Sequence, residues 1–370
     1  MSYSPFLTPG HSRNRRALAV RRRRRRRRMI VLGGLALVIA AALLGEMALA
    51  SGSRNDRGRT HRTVAVLAHG RTPPAVRLPV PVRVSPHGFP LAKPALALSG
   101  ISSPQRDPVQ VSFSDPPREG LLFNLTTGQV LWALNPFERV PIASLTKMMT
   151  ALLTVQAAPP DAPVLITRQA VDMPGSKVGV LPLGRHVPLE SLLYGLLLPS
   201  GNDAAVALAQ HVAGSVNDFV QRMNLEAAKL GLGCTRYSSP SGFYDQGNYS
   251  CAADLAVLAH VDMLQPRIAS VVHTYSAVIP FPIPGGKLYL YNNNPLLIYG
   301  YPGATGMKTG QTEAAGRCLV ATAERHGVRL GAIVLHSEAP GTQARQLLDL
   351  GFEDVYHQAV IPEAPFPPGA

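Results

Sequence analysis

The chain has 370 residues, of which 46% are hydrophobic, and a formal net charge of +14. A chain of this length can bury a substantial core in one large domain or two smaller ones. Its charge is uneven: residues 1–110 carry 20 Lys and Arg against 3 Asp and Glu, whereas residues 111–370 carry 16 against 19. Because the basic excess is confined to the N-terminal part, we expect no nucleic-acid partner for the folded part.

An apolar run at residues 29–45 follows the eight consecutive arginines of residues 21–28. An uncharged run of this length behind a positive cluster indicates a signal-peptide core or a short membrane anchor. Ala48, Leu49 and Ala50 form a candidate cleavage site. We therefore predict that residues 1–50 are a signal peptide or an N-terminal signal anchor. This leader would export the chain to the periplasm or cell envelope and would hold it at the inner membrane if uncleaved.

Residues 51–110 are rich in Pro, Arg, Ser and Gly and show no sustained helical or strand period. This composition predicts a disordered linker. A folded domain is expected to begin near Val111 and to run to residue 358. Residues 359–370 are predicted to be a Pro-rich tail.

The folded part opens with two strand-like runs, GLLFNL and QVLWAL, around the turn residues Thr126, Thr127 and Gly128. This pattern predicts a β-hairpin. Residues 143–156 follow with strong helix formers and apolar residues at helical spacing, and Ser144 stands where a helix cap is expected. The sequence therefore predicts a hairpin and then a helix.

The middle of the chain is predicted to be helical, at residues 188–197, 203–213, 216–230 and 254–264. A short break precedes the second of these helices, for which Asp203 is the expected N-cap. Three strands, at 306–309, 316–323 and 328–336, and a helix at 343–350 are predicted next. The fold class is therefore α+β: an antiparallel sheet formed by the N- and C-terminal segments, packed against a helical subdomain.

Ser144 and Lys147 form an S-x-x-K pattern, which places a hydroxyl and an amine on one helix face, one turn apart. A serine hydroxyl needs a base at neutral pH, and a lysine serves when burial and a neighbouring cation lower its pKa. Taken alone the pattern is weak, since about one S-x-x-K is expected by chance in a chain this long. A capping serine beside a solvated lysine is the competing interpretation.

Ser200, Gly201 and Asn202 form a second candidate, a hydroxyl and a carboxamide on the tight loop between two helices. A second hydroxyl can relay a proton to a leaving group, and the asparagine amide can bond both a lysine and a peptide carbonyl. An ordinary turn before Asp203 would explain the same residues.

Lys308, Thr309 and Gly310 lie on a predicted strand. A lysine and a threonine hydroxyl can hold a carboxylate there, and the positive charge of Lys308 disfavours protonation of a nearby Lys147. Gly310 would admit a ligand close to the strand. By itself, the lysine is better explained as an exposed residue of an edge strand.

In this order, the three patterns resemble the serine D-alanyl-D-alanine carboxypeptidases, the low-molecular-mass penicillin-binding proteins with a β-lactamase/transpeptidase-like fold. The resemblance runs from about residue 120 to residue 357. It includes the segments PIASLTKMMTALL, LLLPSGNDAAVALAQHVAG and YPGATGMKTGQTEAAGRCLVATA.

The resemblance implies a role for each matching residue. Ser144 would be the acylated nucleophile, Lys147 its general base and Ser200 a proton relay. The backbone N–H groups of Ser144 and Gln311 would form the oxyanion hole. The implied substrate-binding residues are Asn202, Lys308, Thr309, Gly310 and Gln311.

The implied partners are a peptidoglycan pentapeptide as substrate and β-lactam antibiotics as inhibitors. No metal site and no cofactor are expected, because no HExxH, zinc-ligand or Gly-rich phosphate pattern occurs. The family pattern places the segments of Cys234 and Cys251 near each other, which implies a disulfide in an exported domain, and Cys318 is expected to stay reduced because it lies on a predicted core strand. Two positions depart from the family: Asn124 replaces a common Asp, and the arginine that some members add to the carboxylate site has no match.

Three other functions remain open from the sequence. A DD-endopeptidase acting on peptidoglycan cross-links would use the same residues. A non-catalytic wall-binding protein would keep the fold, although the intact Ser144 and Lys147 argue against it. A β-lactamase is disfavoured because no deacylating Glu is recognisable.

Overall fold

A computed structural model describes residues 83–101, 106–244, 246–359, 366–367 and 369–370. The predicted leader at residues 1–50 and the linker residues 51–82 lie outside the described residues. Among the described residues, no single helix is long and apolar enough to cross a membrane. Two adjoining helices, Ala252–Met263 and Pro266–His273, reach that length and apolarity only together and meet at 102°.

A five-stranded antiparallel sheet organises the domain, with the strand order β2-β1-β11-β10-β9. Its first hairpin pairs directly with its last strand, and Gly120 of β1 lies opposite Val334 of β11. The strands of the whole domain are β1 (Glu119–Asn124), β2 (Val130–Leu134), β3 (Val140–Pro141), β4 (Pro163–Leu165), β5 (His186–Pro188), β6 (Tyr249–Ser250), β7 (Ser276–Pro280), β8 (Lys287–Tyr291), β9 (Ala304–Thr312), β10 (Gly316–Arg325) and β11 (Val328–Ser337).

Nine α-helices are described, most of them in the chain between β3 and β9. They are α1 (Lys147–Ala157), α2 (Arg168–Val171), α3 (Leu189–Leu197), α4 (Asn202–Ala213), α5 (Val216–Lys229), α6 (Ala252–Met263), α7 (Pro266–His273), α8 (Pro295–Ile298) and α9 (Pro340–Leu350). A 3-10 turn, Ala143–Thr146, leads into α1. The predicted α+β fold, with a sheet built from both ends of the domain, is confirmed.

Both faces of the sheet are covered, as the alternation along β1 shows. Leu121 and Phe123 face the helical subdomain, whereas Leu122 faces the other way, toward α9. Each of the three side chains is completely buried. Successive side chains of a strand point to opposite faces, so a central strand with two covered faces is apolar throughout.

Two predicted helix caps were wrong. Ser144 makes no capping hydrogen bond, because the chain enters α1 through the 3-10 turn. Gly201, not Asp203, precedes α4. The Asp203 carboxylate instead accepts hydrogen bonds from Val178 N at 2.9 Å and Gly179 N at 3.0 Å, and so ties a neighbouring loop to α4.

The predicted linker boundary was also wrong, because residues 83–101 and 106–110 pack on the domain. Ser99 forms a parallel bridge with Gln129. Asp107 is buried, and its carboxylate accepts a hydrogen bond from Ala133 N at 2.9 Å. Proline-rich segments lack a regular period, yet their remaining N–H and C=O groups can still pair with a sheet edge.

Part of the predicted tail also lies against the domain. Phe366 is buried beside Tyr299, with ring centroids 5.0 Å apart, and beneath the guanidinium of Arg345. Gly341 N donates to the carbonyl oxygen of Ala370 at 2.9 Å. The described tail residues therefore form part of the domain surface.

The buried Glu119 on β1 should make the stability of the domain depend on pH. It is completely buried, one carboxylate oxygen accepts from Ala252 N at 3.1 Å, and the other has no hydrogen-bond partner in the described part of the chain. Burial raises the pKa of Glu119 to about 8 from an ordinary value of 4.5. Between these pH values the unfolded chain releases a proton that the folded chain keeps, so the free energy of unfolding falls as pH rises.

We expect Glu119→Gln to remove the fall in the free energy of unfolding between pH 5 and pH 8. The free energy of unfolding of the variant should rise relative to that of the unmutated protein between pH 5 and pH 8, by up to about 1.4 kcal/mol per pH unit, and its Tm should rise with it. Thermal unfolding across this range measures the difference, with Glu353→Gln on the surface as the control. A difference that stays constant with pH would show that folded Glu119 is already ionised.

Candidate active site

A cavity of about 490 Å³ opens where the start of α1 meets β9 and the loop between α3 and α4. It brings together residues from all three patterns singled out in the sequence. The polar residues on its wall are Ser144, Ser176, Ser200, Asn293, Thr309, Gln311 and Arg317.

Ser144 lies in the 3-10 turn and Lys147 is the first residue of α1. The turn is closed by Thr146 Oγ1, which donates to Ala143 O at 2.8 Å. Because the Ser144 hydroxyl caps no backbone group, it is available to Lys147, whose Nζ lies 2.8 Å from Ser144 Oγ. The predicted contact one turn apart is therefore present, whereas the solvated lysine of the competing interpretation is not.

Lys147 is completely buried, and its Nζ lies 2.8 Å from each of Ser144 Oγ, Asn202 Oδ1 and Ser241 O. Burial lowers the pKa of Lys147 well below its ordinary value, and the positive charge of Lys308 lowers it further. The charge of Asp203 opposes this shift. This shift favours the neutral amine, the form that can accept a proton from the hydroxyl beside it.

The loop before α4 presents Ser200 to the cavity and keeps Asn202 behind the wall. Ser200 has φ 66° and is held by the next residue, because Gly201 N donates to Gly195 O at 2.8 Å. Its Oγ is buried and has no hydrogen-bond partner among the residues described. Asn202 Nδ2 donates to Pro174 O at 2.8 Å. Asn202 thus contacts Lys147, as predicted, but does not line the cavity.

On β9, alternate residues point in opposite directions. Thr309 and Gln311 line the cavity, whereas Lys308 is buried behind it, with Nζ donating to Thr309 O at 2.8 Å. Burial lowers the pKa of Lys308 to about 7. The interpretation of Lys308 as an exposed edge-strand lysine was therefore wrong.

Gly310 lines the cavity and also approaches the turn that carries the candidate nucleophile. A Cβ atom at Gly310 would lie 3.0 Å from Ile142 O and 3.1 Å from Ser144 N. A side chain here would therefore force the strand and the turn apart by a few tenths of an ångström, which Gly310 avoids. This approach brings the N–H of Ser144 next to β9, where Gln311 follows Gly310.

Sequence reasoning missed Arg317, Asn293 and the carbonyl of Ser241. Arg317 lies opposite Gln311 in the β9–β10 ladder, so both side chains share the cavity face. Its Nη1 donates to Glu338 O at 2.8 Å and to Gly369 O at 2.5 Å. The predicted strands could not give this register, because the predicted strand ended at residue 309, whereas β9 extends to Thr312.

Cys234, Cys251 and Asp254 form a cluster with metal-like spacing within the described ranges, yet the two cysteines are joined as a disulfide with Cα atoms 5.7 Å apart. The Asp254 carboxylate accepts from Cys234 N at 2.7 Å. Bonded sulfurs and an engaged carboxylate do not suit a metal ion. The predicted disulfide is confirmed, and Cys318 is a buried free thiol.

A family model of D-alanyl-D-alanine carboxypeptidases matches residues 117–339. The chain is 34% identical over 243 residues to the D-alanyl-D-alanine carboxypeptidase DacF of Bacillus subtilis, covering 64% of this chain and 62% of that protein. It is 33% identical over 263 residues to a D-alanyl-D-alanine endopeptidase of Pseudomonas aeruginosa, covering 65% and 84%. The chain spans just under two thirds of the length of DacF.

The chain is also similar in fold to solved structures of a DD-transpeptidase and of a penicillin-binding protein homologue. A mutant of the DD-transpeptidase of Streptomyces K15 superposes with a TM-score of 0.61 at 32% identity, covering 65% of this chain and 99% of that one. A penicillin-binding protein homologue from Mycobacterium tuberculosis superposes with a TM-score of 0.64 at 31% identity, covering 71% and 100%.

Proposed function

Because the chain belongs to the D-alanyl-D-alanine carboxypeptidase family, we propose that it is a serine peptidase of peptidoglycan. It removes the terminal D-alanine of stem peptides through an acyl-enzyme on Ser144. One observation carries the proposal: Ser144 Oγ faces the cavity 2.8 Å from the buried amine of Lys147, whose pKa is lowered. A buried neutral amine beside a hydroxyl is a general base beside its nucleophile.

In acylation, Lys147 accepts the Ser144 proton while Oγ attacks the carbonyl carbon of the penultimate D-alanine. The N–H groups of Ser144 and Gln311 stabilise the oxyanion, and each such donor is typically worth ~2.7 to 4 kcal/mol. When the C–N bond breaks, the Ser200 hydroxyl passes a proton to the leaving amine and regains one from Lys147. Water then hydrolyses the ester, with Lys147 again as the base.

The terminal carboxylate of the substrate is bound on the β9 side of the cavity. Thr309 offers a hydroxyl on the wall, and Lys308 supplies a positive charge from behind it. Arg317 adds a guanidinium on the same face as Gln311. Together these groups provide hydrogen bonds and charge for a carboxylate. In this proposal Arg317 takes the place of the arginine that some family members add to the carboxylate site.

The relative from Pseudomonas aeruginosa, named as an endopeptidase, favours a second candidate activity, cleavage of D-alanyl cross-links. Free D-alanine released from monomeric pentapeptides indicates the carboxypeptidase, whereas cross-linked dimers split into monomers indicate the endopeptidase. Analysis of products from purified muropeptides separates the two.

We also propose that the chain is exported, because residues 29–45 follow an arginine cluster. N-terminal sequencing of the protein from the cell envelope should begin at Ser51. Recovery of the intact Met1 terminus in the membrane fraction would establish an anchor in place of a cleaved signal, and recovery in the cytoplasm would contradict export.

Penicillin should acylate Ser144, because its strained amide and carboxylate resemble a D-alanyl-D-alanine end. Ser144→Ala should abolish both the adduct and peptidase activity, and Lys147→Ala should slow acylation by about a hundredfold to ten-thousandfold. Intact-mass spectrometry with peptide mapping measures the adduct, with Ser215→Ala on the surface as the control. An adduct at another residue of the folded protein would overturn the assignment.

The acylation rate should depend on pH through both lysines. The measured quantity is k2/Ks, where k2 is the acylation rate constant and Ks the dissociation constant of the initial penicillin complex. In the free enzyme, k2/Ks should rise as Lys147 loses its proton and fall as Lys308 loses its own near pH 7. Lys308→Arg keeps its charge at all these pH values and should remove the falling limb. Lys308→Ala removes a like charge, so the pKa of Lys147 and the rising limb should move to higher pH. Stopped-flow acylation by a fluorescent penicillin measures each limb. A rising limb that stays in place in Lys308→Ala would contradict the coupling.

A further inference from the structure

Residues 234–244, which we call the arm, begin at the disulfide cysteine Cys234 and pass alongside α1, the helix that carries Lys147. The arm contains no helix or strand of regular structure. Its middle nevertheless bonds directly to α1, because Thr150 Oγ1 donates to Pro240 O at 2.7 Å and Lys147 Nζ lies 2.8 Å from Ser241 O. A segment without regular structure therefore reaches the candidate general base.

The arm also packs against the nucleophile turn at Gly242. This residue has φ +69°, and a Cβ atom there would overlap the carbonyl oxygen of Ala143 and lie 2.5 Å from Thr146 Oγ1. The backbone of the arm is thus in direct contact with the turn that holds Ser144. A glycine is required here both by its φ and by the lack of space.

Buried side chains fix the first half of the arm. The disulfide joins Cys234 to Cys251. The Asp254 carboxylate accepts from Cys234 N at 2.7 Å and from Thr235 Oγ1 at 2.6 Å. Asn224 bonds both backbone groups of Tyr237, at 2.9 Å to its N and 2.8 Å to its O. These bonds replace the ladder that a strand would have.

Asn248 fixes the second half. Its Oδ1 accepts from Ser238 N at 3.1 Å, and its Nδ2 donates to Ser239 Oγ and Tyr244 O at 2.9 Å each. Asn248 is completely buried. A single side chain thus joins the residues on either side of Ser241 and holds its carbonyl in place.

The bonding of the lysine nitrogen shows how the Ser241 carbonyl can orient the Lys147 amine. A neutral amine has two N–H bonds and one lone pair. Of the three atoms 2.8 Å from Lys147 Nζ, Asn202 Oδ1 and Ser241 O can only accept hydrogen bonds. In the neutral amine, both N–H bonds therefore point to these oxygens, which leaves the lone pair facing the Ser144 hydroxyl 2.8 Å away.

We infer that the arm is a positioning element for the general base, and that the Ser241 carbonyl oxygen keeps the lone pair of Lys147 directed at Ser144. Without that acceptor, the amine can rotate and donate an N–H to Ser144, which removes the base. The Cys234–Cys251 bridge and Asn248 hold the carbonyl in place, so the acylation rate depends on both. This inference rests on the proposed function, because it assigns Lys147 as the base.

The test compares the full chain with two variants, Cys234→Ser/Cys251→Ser and Asn248→Ala, in acylation by a fluorescent penicillin. Active-site titration first counts the competent molecules, so that k2 is expressed per folded site. We expect k2 to fall about tenfold to a hundredfold, as a displacement of about 1 Å in a catalytic group does. Ks should stay within about twofold, because no residue of the arm lines the cavity in the described structure. Reduction of the unmutated protein should lower k2 similarly and leave the double-cysteine variant unchanged.

Leu348→Ala in α9 is the control, because it destabilises the apolar core between α9 and the sheet without touching the arm. It should lower Tm while k2 per titrated site stays the same. The inference is overturned if both arm variants also lower only Tm and keep k2 within twofold. Acylation of the unmutated chain without cleavage of peptides would contradict the proposed function alone, whereas the absence of any adduct on its Ser144 would overturn both.

Discussion

The site depends on one buried amine. Lys147 lies wholly inside the protein, and its three close neighbours are two carbonyl oxygens and a hydroxyl. Burying a charged ammonium without a carboxylate partner costs several kcal/mol, so the neutral form is favoured. That cost favours the form of Lys147 that can accept a proton from Ser144, and the surrounding structure supplies the oxygens that orient this amine.

The sheet brings the rest of the site to this amine. Pairing of β1 with β11 joins the two ends of the domain, and β10 then places β9 beside the turn before α1. Gly310 allows contact at that point, which aligns the cavity face of β9 with Ser144. Lys308 on the opposite face is close enough to lower the pKa of Lys147. One strand thus provides a cavity wall with one face and charge with the other.

Segments without periodic patterns complete the structure around this frame. Residues 83–101, the arm and the described tail residues hold their positions through isolated bridges, side-chain hydrogen bonds and a buried aromatic ring. In each of them the backbone groups find partners elsewhere in the domain instead of within a ladder. A buried asparagine is well suited to this task, since its amide both donates and accepts.

The amino-acid sequence alone determined the elements whose patterns are local. Apolar periodicity predicted the hairpin, the main helices and the last three strands, and the S-x-x-K spacing predicted the contact between Ser144 and Lys147. Tertiary structure alone decided which groups surround that pair. Ser241 contributes a backbone oxygen, which has no residue signature, and Arg317 acquires its place only from strand register. The burial of Lys308 and the packing of residues 83–101 likewise follow from contacts between segments distant in the chain, which no local pattern encodes.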